Sequence, residues 1–144
     1  MNEKGKKSLK NFQNLDVYQD SYKASIEIMT KIIPKLPDIE RNDLRIQMSR
    51  SCKAIPRLIA EGYAKKHQKK GFQKYLDDAN GESNEMIVCL YHCNDLYRKY
   101  IEKKLCIELI DTYDKLSRQL FNLSIAWNNF KDKANDSRNR ETIR

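Results

Sequence analysis

Residues 71–100 read GFQKYLDDANGESNEMIVCLYHCNDLYRKY, and a set of mostly apolar side chains recurs in this stretch at alternating spacings of four and three. The stripe consists of Phe72, Leu76, Ala79, Ser83, Met86, Leu90, Cys93, Tyr97 and Tyr100. Residues at these spacings lie on one face of an α-helix. The stretch therefore predicts a long helix with one face turned to a core.

The segment before the prolines at positions 34 and 37 carries two apolar lines. We assign its core face to Leu15, Tyr18, Tyr22, Ile26, Met29 and Ile33. The second line comprises Val17, Ala24, Ile28 and Ile32. Proline cannot continue an α-helix, so this helix should end at Pro34.

Two further helices complete the pattern. One should begin near Asn42, with an inner face of Leu44, Met48, Cys52, Ile55, Ile59 and Gly62. Pro56 predicts a kink in that helix and not a break, because the pattern resumes beyond it. The last helix carries Leu109, Tyr113, Leu116, Leu120, Leu123, Trp127 and Phe130. Its register differs from that of residues 71–100, which predicts a turn near residues 101–104.

The composition favours a single helical domain. Of 144 residues, 40% are hydrophobic and only four are glycine and three proline, too few for the many turns of an all-β fold. We predict an all-α protein, an antiparallel up-down-up-down four-helix bundle over residues 14–130. A basic flexible arm (residues 1–13) and a polar flexible tail (residues 131–144) should flank it. The surplus apolar surface predicts burial between subunits.

The hydropathy pattern lacks a run long enough to span a membrane and lacks a secretory pattern at its start. We therefore expect a cytoplasmic protein without membrane contact. In that compartment the four cysteines should be reduced thiols in the core.

Motifs for metal binding and catalysis are weak. Cys89, His92 and Cys93 lie within about one helical turn, but a closed site needs about four ligands and no spacing rule supplies the others. No nucleophile motif or phosphate-binding glycine loop occurs, and the carboxylates of Glu61 and Glu85 have no assigned role. We predict no metal, no cofactor and no enzymatic activity, with a cryptic enzyme as the weakest alternative.

The most prominent charged feature lies between the second and third helices. It comprises Lys65, Lys66, Lys69, Lys70 and Lys74, with no acidic residue among them. Many charged connections are only solvated loops. The net charge of +8 and the basic residues of both terminal segments favour a phosphate-binding surface for RNA or DNA. Tyr63 and Phe72 flank the loop and are candidates for stacking on unpaired bases, although Phe72 also begins the core stripe.

Residues 47–63, QMSRSCKAIPRLIAEGY, resemble the hallmark of the four-helix-bundle family encoded in intervening sequences of bacterial 23S ribosomal-RNA genes. Phe72, Leu76 and residues 79–85 look like its downstream motif, and residues 15–19 and 36–37 like its upstream landmarks. The likeness spans about residues 12–123. Ala54, Leu58 and Glu82 depart from the family pattern.

The resemblance implies a ring-like homopentamer and kinship with the basic pentameric accessory protein of diversity-generating retroelements, which works beside a reverse transcriptase and its RNA. We therefore predict a non-enzymatic, oligomeric protein that binds nucleic acid, with RNA favoured over DNA, through Lys65, Lys66, Lys69, Lys70 and Lys74. The alternative is a protein-interaction adaptor whose partner is a reverse transcriptase or a ribosome-associated protein.

Overall fold

Four α-helices account for most of the protein. The computed structural model describes residues 11–142, and no strand occurs among them. The helices are α1 (Asp16–Glu27), α2 (Leu44–Ala64), α3 (Gly71–Leu96) and α4 (Lys103–Thr142). Helix α1 packs against α2 and α4, and α3 packs against the same two helices. The protein is thus an all-α four-helix bundle, as predicted.

The core follows the predicted faces of α2, α3 and most of α4. All six residues of the predicted inner face of α2 are buried, as are the residues of the α3 stripe from Phe72 to Cys93. On α4 the buried members are Leu109, Tyr113, Leu116 and Leu120. Ser83 is buried without cost, because its hydroxyl donates a hydrogen bond to the Tyr113 carbonyl oxygen (2.9 Å).

The prediction for α1 selected the wrong apolar line. Its buried face consists of Val17, Ser21, Ala24, Ser25, Ile28 and Ile32. Tyr22 and Ile26, assigned to the core, are about half exposed. Four of these six residues form the line that was predicted as the second one, and the two serines between them kept it from being chosen as the core face. Ser21 and Ser25 donate to the carbonyl oxygens of Tyr18 (3.0 Å) and Tyr22 (2.6 Å), so both hydroxyls are satisfied inside the helix and can be buried.

The helical stretch that begins with α1 ends where the prolines predicted it, although α1 itself stops at Glu27. The helix widens into a π-turn (Ile28–Ile32) and then tightens into a 3-10 turn (Ile33–Lys35). Pro34 has no N–H to donate to the carbonyl oxygen of Thr30, so the helical stretch cannot continue past this point. Pro56, in contrast, lies within α2, which continues through it without a break.

The turn between α3 and α4 begins earlier than predicted. Helix α3 ends at Leu96, and α4 starts at Lys103. Tyr97 leaves the helix and its hydroxyl donates a hydrogen bond to the buried Glu40 carboxylate (2.6 Å). The side chain of Ile101 is buried and closes this end of the core. As a result Tyr100 lies outside the stripe and is 55% exposed.

Ordered structure is present on both sides of the predicted bundle limits, residues 14 and 130. Phe12 packs edge-on against Tyr18, with ring centroids 4.9 Å apart, so the bundle includes residues 11–13; residues 1–10 of the predicted arm lie outside the described residues. Where a flexible tail was expected from residue 131, α4 continues to Thr142. Residues 131–142 contain neither glycine nor proline, so their polar composition does not stop the helix.

Gly62 sets the approach of α2 to α3. A Cβ at this position would lie 2.6 Å from the Cβ of Tyr75 and 3.1 Å from Cδ1 of Phe72. The two helices can therefore be this close only with glycine at position 62. Gly81, in the interior of α3, has open space around it.

Replacing Gly62 by alanine should lower the free energy of unfolding by about 1–2 kcal/mol, because overpacking outweighs the gain in helix propensity. Gly81→Ala is the matched control and should raise that free energy by about 0.5–1 kcal/mol. Guanidinium denaturation followed by circular dichroism measures both. Equal stabilisation by the two substitutions would contradict the close contact at Gly62.

Candidate nucleic-acid interface

The connection between α2 and α3 is a structured pair of turns. The Gln68 N–H donates to the carbonyl oxygen of Lys65 (3.0 Å), and the Gly71 N–H donates to that of Gln68 (3.1 Å). Lys70 adopts a left-handed conformation (φ 56°) just before α3. A Cβ at Gly71 would collide with the carbonyl oxygen of Lys65, so glycine is required there. These constraints fix where the lysines of the loop emerge.

Two of the predicted lysines are held by tyrosines. The Nζ of Lys65 donates to the hydroxyl of Tyr75 (2.6 Å), and this hydrogen bond raises the pKa of Lys65 above its ordinary value. The Nζ of Lys66 lies 4.0 Å from the ring centroid of Tyr63, in a cation–π contact. Both ammonium groups are thus held at defined positions.

The other three lysines, Lys69, Lys70 and Lys74, are exposed around the first turn of α3. That turn contains no acidic residue. The N-terminal end of a helix carries a partial positive charge, which adds to the charge of the lysines. The five lysines therefore form a basic cap at the end of the bundle where α2 meets α3. We use "basic cap" for Lys65, Lys66, Lys69, Lys70 and Lys74.

The structure places a second basic segment beside this cap. A groove of about 450 Å³ lies between the loop and the distal part of α4. The loop contributes His67, Lys69 and Lys70. Helix α4 contributes Asn128, Phe130, Lys131, Asp132, Ala134, Asn135 and Arg138. In the sequence analysis the loop and the C-terminal tail were separate basic clusters. Because the tail continues α4 as a helix, the structure brings the two clusters together.

The stacking candidates change as well. Phe72 is 1% exposed and packs in the core, so it cannot stack on a base. Tyr63 is half-buried beneath Lys66. Phe130, which the sequence assigned to the core stripe of α4, is 64% exposed and lines the groove. No sequence signal set Phe130 apart, because the apolar stripe of α4 continues through it; the structure shows that Trp127 already packs on Phe72 near the start of α3, so the next ring lies beyond the core.

The cysteines form no metal centre in the structure. Cys89 and Cys93 are buried whereas His92 is exposed, so the three do not converge. Between residues 11 and 142, no group of three or more His, Cys, Asp or Glu side chains is placed to hold a metal ion. Burial raises the pKa of Cys52 and Cys89 to about 11 and, with help from neighbouring thiols, that of Cys93 to about 12. These thiols are protonated at neutral pH and are poor nucleophiles.

The possible acid–base residues are equally dispersed. Glu61 and Glu85 are both exposed, one near the end of α2 and the other in the middle of α3.

Among the described helices, none combines the length and the apolar character needed to cross a membrane.

Fold and surface together define a small helical-bundle protein with a basic cap at one end. The family model for the 23S rRNA-intervening sequence protein matches residues 13–122. The chain therefore belongs to the 23S rRNA-intervening sequence protein family. Comparisons with curated proteins and with solved structures gave no match. The matched region includes the basic cap and ends before the part of α4 that lines the groove.

The buried thiols predict a loss of stability in alkali. The pKa values of these thiols are raised in the folded state. Their contribution to the free energy of unfolding is therefore complete below about pH 9 and is lost as the pH rises from 9 to about 12. Cys93→Ala should make the fall in the free energy of unfolding with pH shallower by about 1.4 kcal/mol per pH unit. Denaturant titrations with reductant at several pH values measure this slope. An unchanged slope in the variant would contradict the assignment.

Proposed function

We propose that this protein binds RNA or DNA without catalysing a reaction, and that the basic cap holds the phosphates. The observation that carries the proposal is the position of Lys69, Lys70 and Lys74, which are exposed together around the N-terminal turn of α3. No carboxylate occurs between residues 62 and 76. Such a surface attracts a polyanion and gains free energy from counterion release.

The tethered lysines support this binding mode. Lys65 and Lys66 are held on tyrosines, so less side-chain freedom is lost when a phosphate approaches. The hydrogen bond from Lys65 uses one of its three ammonium protons, which leaves two for a phosphate oxygen. The cap is thus partly arranged before the ligand arrives.

We further propose that the protein acts as a homo-oligomer, with a homopentamer as the form that its family resemblance implies. Support comes from apolar side chains on the outer faces of the helices. About half of the surface of Tyr22, Ile26, Val88, Tyr91 and Phe121 is exposed. Burying these groups between subunits would remove apolar area from water. A ring would also repeat the basic cap and raise avidity for a long nucleic acid.

The same apolar surface supports a second candidate function, that of an adaptor for another polypeptide. A reverse transcriptase or a ribosome-associated protein could be its partner, and the contact would be apolar. Such a complex would withstand nuclease and high salt, whereas binding through the basic cap would weaken steeply with salt.

Replacing the five lysines of the basic cap by glutamine should abolish most binding. Fluorescence anisotropy of labelled single-stranded RNA, duplex RNA and duplex DNA at several salt concentrations measures it. For a single strand, the slope of log K against log salt should lose up to about 3.5, about 0.7 for each phosphate contact removed.

The control variant replaces Lys35, Lys53, Lys99, Lys103 and Lys115 by glutamine. These lysines are exposed and lie outside both the loop and the groove. The control lowers the net charge equally but should keep most of the affinity. Equal losses in the two variants would show a response to net charge alone, and wild-type protein that binds no ligand at low salt would favour the adaptor.

Light scattering coupled to size-exclusion chromatography should give a mass of five times the 17.1 kDa chain. Salt screens charge–charge contacts but does not weaken apolar burial, so the mass should persist after nuclease treatment and at high salt. The mass of a single chain over the tested concentrations would overturn the oligomer proposal and leave the nucleic-acid proposal to the anisotropy experiment.

A further inference from the structure

Helix α4 is longer than the bundle requires. Ser83 of α3 bonds to Tyr113, and Phe72 packs on Trp127, so α4 passes the first turn of α3 near residue 127. The helix then continues to Thr142, a further distance of roughly 20 Å at about 1.5 Å per residue. This extension forms one wall of the groove, and the loop of the basic cap forms the other. It also lies outside the region matched by the family model.

The charge of the groove is predominantly positive. Lys69 and Lys70 on the loop face Lys131 and Arg138 on α4, and Asp132 is the one acidic residue in the lining. The volume of about 450 Å³ falls within the range of about 300–1,000 Å³ that is typical of sites for small organic groups. The groove therefore offers cationic walls and space for a group the size of a nucleotide.

Phe130 has an exposed aromatic ring that packs on a second ring, which is itself anchored in the core. Its ring centroid lies 5.8 Å from that of Trp127, and Trp127 in turn packs edge-on against the buried Phe72 at 5.2 Å. The row of rings thus starts in the core and ends at the groove. An exposed aromatic side chain supported in this way can stack on a nucleobase at little cost in side-chain entropy.

The groove also carries groups that can bond to base edges. Asn128 and Asn135 present amides with both donor and acceptor atoms, and Asp132 presents a carboxylate that accepts from an exocyclic amino group. Bases expose these edges, and their faces, when they are unpaired. In a duplex the faces are stacked inside and cannot reach Phe130.

We infer that the groove between the basic cap and the extension of α4 binds an unpaired stretch of RNA or DNA. One base stacks on Phe130, and the flanking phosphates contact Lys69, Lys70, Lys131 and Arg138. This inference rests on the proposed function, because the basic cap supplies half of the cationic side chains. It adds a preference for single strands and a residue, Phe130, that confers it.

The test compares three ligands of about 12 nucleotides by fluorescence anisotropy: a single strand, its duplex, and a single strand with abasic sites in place of its central nucleotides. The abasic strand keeps the phosphates and lacks the stacking bases. RNA and DNA versions of each ligand separate a preference for the sugar from the preference for unpaired bases. The proteins are wild type, Phe130→Ala, Phe130→Trp and the control Tyr100→Ala, in which an exposed ring outside the groove is removed.

Phe130→Ala should weaken binding of the intact single strand by roughly 5- to 150-fold, the range expected for loss of one base stack. Binding of the duplex and of the abasic strand should change by less than about twofold, because neither offers a free base to the ring. Phe130→Trp should keep the wild-type affinity, and Tyr100→Ala should leave it unchanged. The salt slope should be the same in all four proteins, since no charge is altered.

Three outcomes are distinguishable. If no ligand binds to wild-type protein, the proposed function fails and the inference fails with it. If the ligands bind and the basic cap variant loses binding, but Phe130→Ala weakens all of them equally or none, the proposed function stands and the groove is not a single-strand site. A loss confined to the intact single strand supports the inference.

Discussion

The contact between α2 and α3 at Gly62 is the constraint on which the rest of the molecule depends. Because position 62 has no side chain, Tyr75 and Phe72 of α3 lie directly against the backbone of α2. Tyr75 in that position accepts the hydrogen bond from Lys65, and Phe72 provides the surface on which Trp127 of α4 packs. One close helix contact thus positions part of the basic cap and the row of rings that ends at Phe130.

The loop is constrained by a second glycine for a different reason. Gly71 lies beneath the carbonyl oxygen of Lys65, and the left-handed Lys70 directs the chain into α3. A conformation of that kind is costly for a residue with a side chain, and it persists because the neighbouring turns leave no alternative. The strain falls on a lysine of the basic cap, and the local conformation of the cap is therefore dictated by the fold.

Apolar periodicity predicted the core faces of some helices and not of others, and the difference lies in whether the buried residues are apolar or polar. On α2 and α3 the core residues are mostly apolar, so periodicity alone identified the inner faces and the fold class. On α1 the core face includes Ser21 and Ser25, whose hydroxyls are satisfied by nearby carbonyl oxygens, so a pattern based on hydrophobicity found only its four apolar members and ranked them second. The groove was beyond reach of the sequence, since it depends on where α4 passes the start of α3. The lysines of the loop, by contrast, were identifiable from their density alone.

The family hallmark explains why membership determines the fold more firmly than the ligand. Of residues 47–63, Met48, Cys52, Ile55, Pro56, Ile59 and Gly62 are all buried. These positions are constrained by packing, and any four-helix bundle of this geometry would need them whatever it binds. The side chains of the basic cap and of the groove lie outside this segment, on the loop after α2, on the first turn of α3 and on the extension of α4. A function for this chain therefore has to be argued from Lys69, Lys70, Phe130 and their neighbours, and not from the residues that place it in its family.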